Sequence, residues 1–185
     1  MYSGNIILLS PPGGGKGTLS NQICDVYDYN LISTGEILRH EKLSGSDIGN
    51  KIKDILGKGN LVPDSIVNDI ISKRLNISSK SILDGFPRTL EQAKFLDEIS
   101  SVGLVIFLDA FDSVVIKRII NRGKTSGRED DQDVNIINKR LAQYKLETKP
   151  LIDFYKNKGV LVTIDANRSS DLVFDDFKKI IRLWE

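Results

Sequence analysis

One feature constrains this chain more than any other: a short apolar run that passes directly into a glycine-rich turn and then into a helix. Asn5 to Ser10 reads NIILLS, and Ser10-Pro11-Pro12-Gly13-Gly14-Gly15-Lys16-Gly17-Thr18 continues it without a break. A continuous apolar run of this length suits a strand covered on both faces of a parallel sheet. The glycines let successive backbone N–H groups turn inward, and a helix starting at Lys16 points its positive end at the same place. Phosphate oxygens fit such a cradle. Lys16 has the reach for β- and γ-phosphates, and the Thr18 hydroxyl can face a Mg²⁺ ion. Gly13, Gly14, Gly15, Lys16, Gly17 and Thr18 are therefore the first candidate nucleotide-binding residues. The glycine that usually opens this pattern is replaced by Ser10, which requires an ordinary negative φ at that position.

The rest of the chain repeats the strand-then-helix rhythm. Asn30 to Ile32, Ser81 to Leu83, Leu104 to Asp109 and Val160 to Ile164 read as four more strands. Helical periodicity covers Lys16 to Tyr27, Gly35 to Lys42, Ser46 to Lys58, Asp64 to Leu75 and Leu90 to Ser101. It continues over Ser113 to Asn121, Val134 to Lys156 and Leu172 to Leu183. Alternation of this kind predicts an α/β fold, a P-loop NTPase-type doubly wound parallel five-stranded sheet flanked by helices. Two stretches break the rhythm. Ser33 to Pro63 is a helical insertion, and Gly123 to Gln132 is a polar, glycine-bearing loop.

At 185 residues the chain has the length of one domain, with a core able to bury roughly 70% of the unfolded surface. Its 26 basic and 25 acidic residues leave a net charge of +1, which gives no sign of a nucleic-acid or membrane partner. The apolar runs Ile6 to Leu9 and Leu104 to Leu108 are far shorter than the ~20 residues a bilayer span needs. The single cysteine, Cys24, excludes an intramolecular disulfide and a cysteine-rich zinc site, and it reads as a small core residue. No targeting signature is read at the N-terminus. The expectation is a cytoplasmic protein.

A second acidic element supports the phosphate loop. Ser81-Ile82-Leu83-Asp84 places a carboxylate at the end of a buried strand, where open α/β sheets bind ligands. There Asp84 can hold Mg²⁺ directly or through water. Asp84 also opens the run Asp84-Gly85-Phe86-Pro87-Arg88. With the phosphate loop, this run resembles the nucleoside monophosphate kinase family in its short-lid, adenylate kinase form. The same resemblance extends through Leu31 to Arg39, Gly59 to Pro63, Arg122 to Asp131 and Lys139 to Leu141, nearly the whole chain.

The resemblance implies a single kinase domain with two mobile parts, a monophosphate-binding insertion over 33–62 and a short lid over 121–131. It also implies Mg²⁺ with ATP, no zinc, the substrates ATP, AMP and ADP, and a monomer. Lys16, Arg88, Arg122, Arg128 and Arg140 would carry catalysis, with Arg122 and Arg168 on the ATP side. The AMP side would comprise Thr34, Arg39, Leu61, Val62, Gly85, Phe86, Pro87, Arg88, Gln92, Arg128 and Arg140. Arg168 stands where related short forms usually have glycine, so only a backbone contact carries over there. Asp130 and Asp131 would steady the lid arginines or cap a turn. Arginine suits all these places because its fork binds phosphate in bidentate fashion and keeps its charge.

Thr34 and Gln92 resemble the AMP-specific form, so a UMP/CMP kinase is the second enzymatic reading. A non-catalytic nucleotide-binding module is a third, but it would be expected to have lost Lys16, Asp84 or a lid arginine. His40, the only histidine, has no partner in a recognisable motif and reads as an exposed helix residue.

Overall fold

The computed structural model describes residues 4–75 and 80–184, and the side chain of Glu129 lies outside what it describes. Five strands form one parallel sheet in the order β2-β3-β1-β4-β5. They are β1 (Asn5–Leu9), β2 (Asn30–Ser33), β3 (Ser81–Asp84), β4 (Val102–Asp109) and β5 (Leu161–Asp165). All five expected strands form, each within a residue or two of its expected bounds.

Strand alternation explains how so short a run holds two layers apart. Ile6 and Leu8 face α1 (Lys16–Val26) and α9 (Ser170–Leu183), where they pack with Leu19, Ile23, Phe177 and Ile181. Ile7 and Leu9 face the other side, packing with residues such as Ile71 of α4 (Asp64–Arg74) and Leu96 of α5 (Leu90–Ile99). Both faces of β1 are therefore dry, as its unbroken apolar sequence requires. A smaller cluster joins Val115 and Ile119 of α6 (Asp112–Gly123) to Ile137 and Leu141 of α7 (Val134–Gln143).

The chain crosses from one edge of β1 to the other, since β1 lies between β3 and β4. That reversal opens a crevice at the carboxyl ends of the strands, directly above Ser10 and Asp84. Helices α2 (Thr34–Lys42) and α3 (Asp47–Gly57) form the insertion between β2 and β3. The Ser46 hydroxyl caps α3 by accepting from Gly49 N–H at 2.9 Å, satisfying one of the helix's orphan donors.

One long helix expected over Val134 to Lys156 forms as α7, a π turn over Tyr144–Thr148 and α8 (Pro150–Asn157). Pro150 is the cause. It has no N–H to donate and its ring clashes with the carbonyl four residues back. The backbone widens by one residue ahead of it, and Lys149 N–H donates to Tyr144 O at 2.9 Å, five residues back. The widened turn presents Thr148, whose hydroxyl donates to Arg88 O at 2.9 Å.

Candidate active site

The glycine-rich loop bridges β1 and α1 as its sequence demands. Gly15 has φ 101° and serves as the N-terminal cap of α1, a conformation that side chains avoid. Ser10 meets the requirement placed on it, because no non-glycine among the described residues has a positive φ. Its buried hydroxyl accepts from Lys16 Nζ at 2.8 Å and donates to Pro11 O at 2.8 Å. Lys16 Nζ also donates to Ser10 O at 3.1 Å. Burial lowers the Lys16 pKa to about 8, opposed by Asp84 and reinforced by the nearby arginines Arg88, Arg122 and Arg140. A half-buried ammonium with one donor to spare, beside three arginines, is poised for an anion.

Around this loop lies a cleft of about 1040 Å³, at the upper end of the roughly 300–1,000 Å³ typical for a single small-molecule ligand. Gly13 to Thr18, Asp84, Gly85 and Pro87 line it, and so do Arg39, Arg88, Arg118, Arg122, Arg128, Arg140 and Arg168. Leu61 lines it too. Each arginine expected at the site thus reaches one common space. Burial lowers the pKa of Arg88, Arg39 and Arg128, and neighbouring arginines lower each further. The charge of Arg128, after α6, is among the causes that lower the Arg39 pKa on the insertion. The end of the insertion also lies against α7, for a β-carbon at Gly59 would stand 3.4 Å from Arg140 Cγ.

Acidic groups hold this excess of positive charge in place. Asp131 is fully buried and receives Arg122 Nε at 2.6 Å and Arg122 Nη2 at 2.9 Å. Arg140 Nη1 donates to Asp131 at 2.7 Å and to Asp130 at 2.7 Å. Both carboxylates thus contact arginines of the cleft directly. Arg88 Nε donates to Gly85 O at 2.9 Å, and Arg88 lines the cleft.

A small cavity of about 20 Å³ adjoins the cleft, lined by Thr34, Leu61, Val62, Gly85, Arg88 and Gln92, among others. The Thr34 hydroxyl donates to Gly85 O at 2.8 Å, so toward a ligand it offers an acceptor. Gln92 is 2% exposed, with its amide oxygen on Arg88 N–H at 2.7 Å and its amide nitrogen on Asp64 at 2.7 Å. Phe86 is 0% exposed in the core and Val62 4%. Phe86 lines neither the cleft nor the small cavity. Cys24 is partly buried against the core layer between the sheet and α1 and α9, and His40 is exposed, as their sequence context suggests.

Arg168 differs from the simplest expectation. Its guanidinium pairs with Asp176 and with Asp165 at 3.4 Å, beside the cleft. Its carbonyl instead accepts from Arg118 Nη2 at 3.1 Å, and Ala166 O accepts from Arg118 Nη1 at 2.8 Å. Arg118 was missed by the sequence reading. The available signal was its position four residues before Arg122, on the same face of α6.

Thr18, exposed in the cleft, and Asp84 line it with hard oxygen atoms that could hold a metal. Their elements adjoin, since a β-carbon at Gly17 would lie 4.0 Å from Asp84 Oδ2. Among the described residues no group of three or more His, Cys, Asp or Glu could hold a metal. A pair of oxygens without a cage suits Mg²⁺, which keeps its waters and takes phosphate oxygens as further ligands.

The family model for adenylate kinase matches residues 8–160. The chain belongs to the adenylate kinase family. It is 39% identical to the adenylate kinase of Encephalitozoon cuniculi over 98% of this chain and 99% of that protein. It is 41% identical to that of Prochlorococcus marinus strain NATL1A, over 94% of this chain and 96% of the relative. Identity to the adenylate kinase of Methanosarcina acetivorans is 38%, over 96% of this chain and 98% of that protein. No helix among the described residues is long and apolar enough to cross a membrane.

Proposed function

We propose that this chain transfers the terminal phosphoryl group of ATP to AMP, reversibly, giving two ADP, and that it serves adenine nucleotide homeostasis. The observation that carries the reading is the ring of arginines from opposite sides of one cleft, converging on the phosphate loop. Two nucleotides meeting head to head bring many negative charges to one point. Transfer then depends on positioning and charge stabilisation, with little covalent chemistry required of the protein.

In this reading Gly13 to Thr18 cradle the ATP phosphates, with Lys16 across the β- and γ-phosphates. Arg122 takes the ATP side, with the Arg168 backbone at the edge of the adenine site. Arg39 and Arg88 hold the AMP phosphate, and Arg128 and Arg140 span the transferring group and the AMP side. Thr34, Gln92 and the backbone of Leu61, Val62, Gly85, Phe86 and Pro87 receive the acceptor nucleoside. Thr18 and Asp84 would hold Mg²⁺, directly or through water. When bound, that ion offsets phosphate charge.

Segment 33–62 acts as the monophosphate-binding part and 121–131 as the lid. Closure expels water, which would otherwise accept the phosphoryl group. Contact between α3 of the insertion and the turn Glu129–Asp131 supports a closed arrangement. One chain supplies every group named here, which supports a monomer, and a chain with a single cysteine accords with the cytosol.

The test is a panel assay with ATP as donor and AMP, CMP, UMP and GMP as acceptors. AMP is expected to exceed the pyrimidine nucleotides by at least ~10²-fold in kcat/KM, within the range for hydrogen-bonded recognition. Comparable turnover of CMP or UMP would move the chain to the pyrimidine kinases.

A further inference from the structure

Asp64 is the first residue of α4 and follows Leu61-Val62-Pro63 directly. Its Oδ1 accepts from Gln92 Nε2 at 2.7 Å, and its Oδ2 accepts from Thr89 Oγ1 at 2.8 Å. On the opposite side, Gln92 Oε1 accepts from Arg88 N–H at 2.7 Å. These two neighbours leave the Gln92 amide a single orientation. A carboxylate only accepts, so it must meet the amide nitrogen; a backbone N–H only donates, so it must meet the amide oxygen. Turning the amide over would set donor against donor and oxygen against carboxylate in a residue that is 2% exposed. Such unmet buried groups are costly.

A primary amide has two donors and two acceptor positions. With one of each engaged, one N–H and one lone pair of Gln92 remain, and Gln92 lines the small cavity beside the phosphate cleft. The order in which they face that cavity is set by Asp64 and Arg88 N–H.

We propose that Asp64 is a positioning residue for the choice of acceptor base, because it locks the Gln92 amide in the order that fits adenine. This rests on the reading of Gln92 as the group that meets the base. Adenine presents an amino donor beside a ring-nitrogen acceptor. A 6-oxopurine presents the reverse, a carbonyl acceptor beside a ring N–H donor. An amide held in one order accepts the first and opposes the second. An amide free to turn accepts both. Asp64 is the side-chain half of a lock whose other half is Arg88 N–H, and so it disfavours IMP-like acceptors without touching the nucleotide.

The experiment measures kcat and KM for AMP and IMP, with ATP as donor, in the parent, Asp64→Ala, Asp64→Asn, Gln92→Ala and the Asp64→Ala/Gln92→Ala double variant. Asp64→Ala is expected to raise the KM for AMP about tenfold, the scale of one hydrogen bond to a charged group. The KM for ATP should stay put and the AMP-to-IMP ratio of kcat/KM should fall. Asp64→Asn can turn its own amide to meet either order of the Gln92 amide, so it should recover the KM for AMP but little of the ratio. The double variant should lose no more than Gln92→Ala alone, since both changes remove one coupled function. If Gln92→Ala narrows the ratio but Asp64→Ala does not, the role of Asp64 is overturned while that of Gln92 stands. If Gln92→Ala leaves the ratio intact, the reading of Gln92 fails and the proposal fails with it. Equal losses toward ATP and AMP, with a lowered Tm, would make Asp64 merely structural. Should Asp64→Ala not fold, Asp64→Glu, which displaces the carboxylate by one methylene, carries the same comparison.

Discussion

Asp131 grips one edge of the Arg122 guanidinium with both of its oxygens, at 2.6 and 2.9 Å, from a position with no solvent contact. The same carboxylate also takes Arg140 from α7. One buried acid thus ties the end of α6 and the middle of α7 to the short 3₁₀ turn Glu129–Asp131. It leaves other nitrogens of both arginines for a phosphate. This arrangement pre-orients two cations before any nucleotide arrives, which is what electrostatic stabilisation of a transferring phosphoryl group requires.

Removing that acid should be felt in stability, with a defined pH dependence. Burial alone would raise the Asp131 pKa, but the hydrogen bonds from Arg122 and Arg140 outweigh it and hold it below the ordinary 3.8. A folded pKa below the unfolded one gives stability that is complete above the unfolded value. It is lost as pH falls through the folded value. Asp131→Asn should cost about 3 kcal/mol near neutrality, the lower end for breaking a buried pair. The difference from the parent should shrink below the ordinary carboxylate value. Denaturant unfolding of both proteins across this range checks it, and a difference independent of pH would deny Asp131 its ionised, paired state.

Arg88 is the arginine whose surroundings are most fully built. Its Nε is fixed by Gly85 O at 2.9 Å, its N–H by Gln92 and its carbonyl by Thr148. Arg88→Ala should cut turnover by at least ~10³-fold, the scale of arginines that stabilise phosphoryl transfer. Arg88→Lys should recover little, because an ammonium cannot donate to Gly85 O and to phosphate in one plane. Steady-state assays of both variants decide it, and near-normal turnover in either would remove Arg88 from the site.

How much of this was legible beforehand follows from where the constraints lie. The sheet was readable because strands buried on both faces cannot hide polar residues, so NIILLS and LVIFLD announce themselves. The arginines were readable through the order of several motifs along the chain. Arg118 was not, because its role lies in a fork onto the carbonyls of Ala166 and Arg168, far away in sequence. The hold of Asp64 on Gln92 was equally hidden, since 28 residues separate them. The π turn before Pro150 escaped too. Periodicity finds a helix continuing, while one missing N–H widens it and sends Thr148 to Arg88.

Gly123 gives the segment over 121–131 its sharpest steric test. It ends α6, and a β-carbon there would stand 2.7 Å from Asp131 O and 3.1 Å from the Asp131 carbonyl carbon. Backbone cannot yield as a side-chain tip can. Gly123→Ala should therefore push the turn that carries Asp131 and loosen its hold on Arg122 and Arg140. Turnover should fall by about 10²-fold, the cost of misplacing reacting groups by roughly an ångström. The ratio of ATP hydrolysis to transfer should rise, as water is less well excluded. Parallel assays of phosphate release and ADP formation measure it. A flat ratio with both activities retained would mean that this segment does not act as a lid.

Lys16 offers a test that needs no chemistry at all. Burial holds its pKa near 8 in the free protein, below the ~10.4 of an exposed lysine. Between these values the folded state binds fewer protons than the unfolded chain, so this group favours folding progressively as pH rises across that window. A phosphate placed against Nζ reverses the local balance, because an opposite charge favours the ammonium and raises its pKa. Nucleotide binding should then draw a proton from solution at pH values above about 8 and draw little from Lys16 near neutrality, where the ammonium is already charged. Calorimetric titration with ADP in buffers of different ionisation enthalpy reads this uptake directly. At about pH 9 the nucleotide phosphates are themselves fully ionised, as their second pKa lies near 6, so the signal belongs to the protein. It should approach one proton in the parent and vanish in Lys16→Met. Uptake that survives in Lys16→Met would assign it to another group, and none in the parent would mean that the bound phosphates lie out of reach of Lys16.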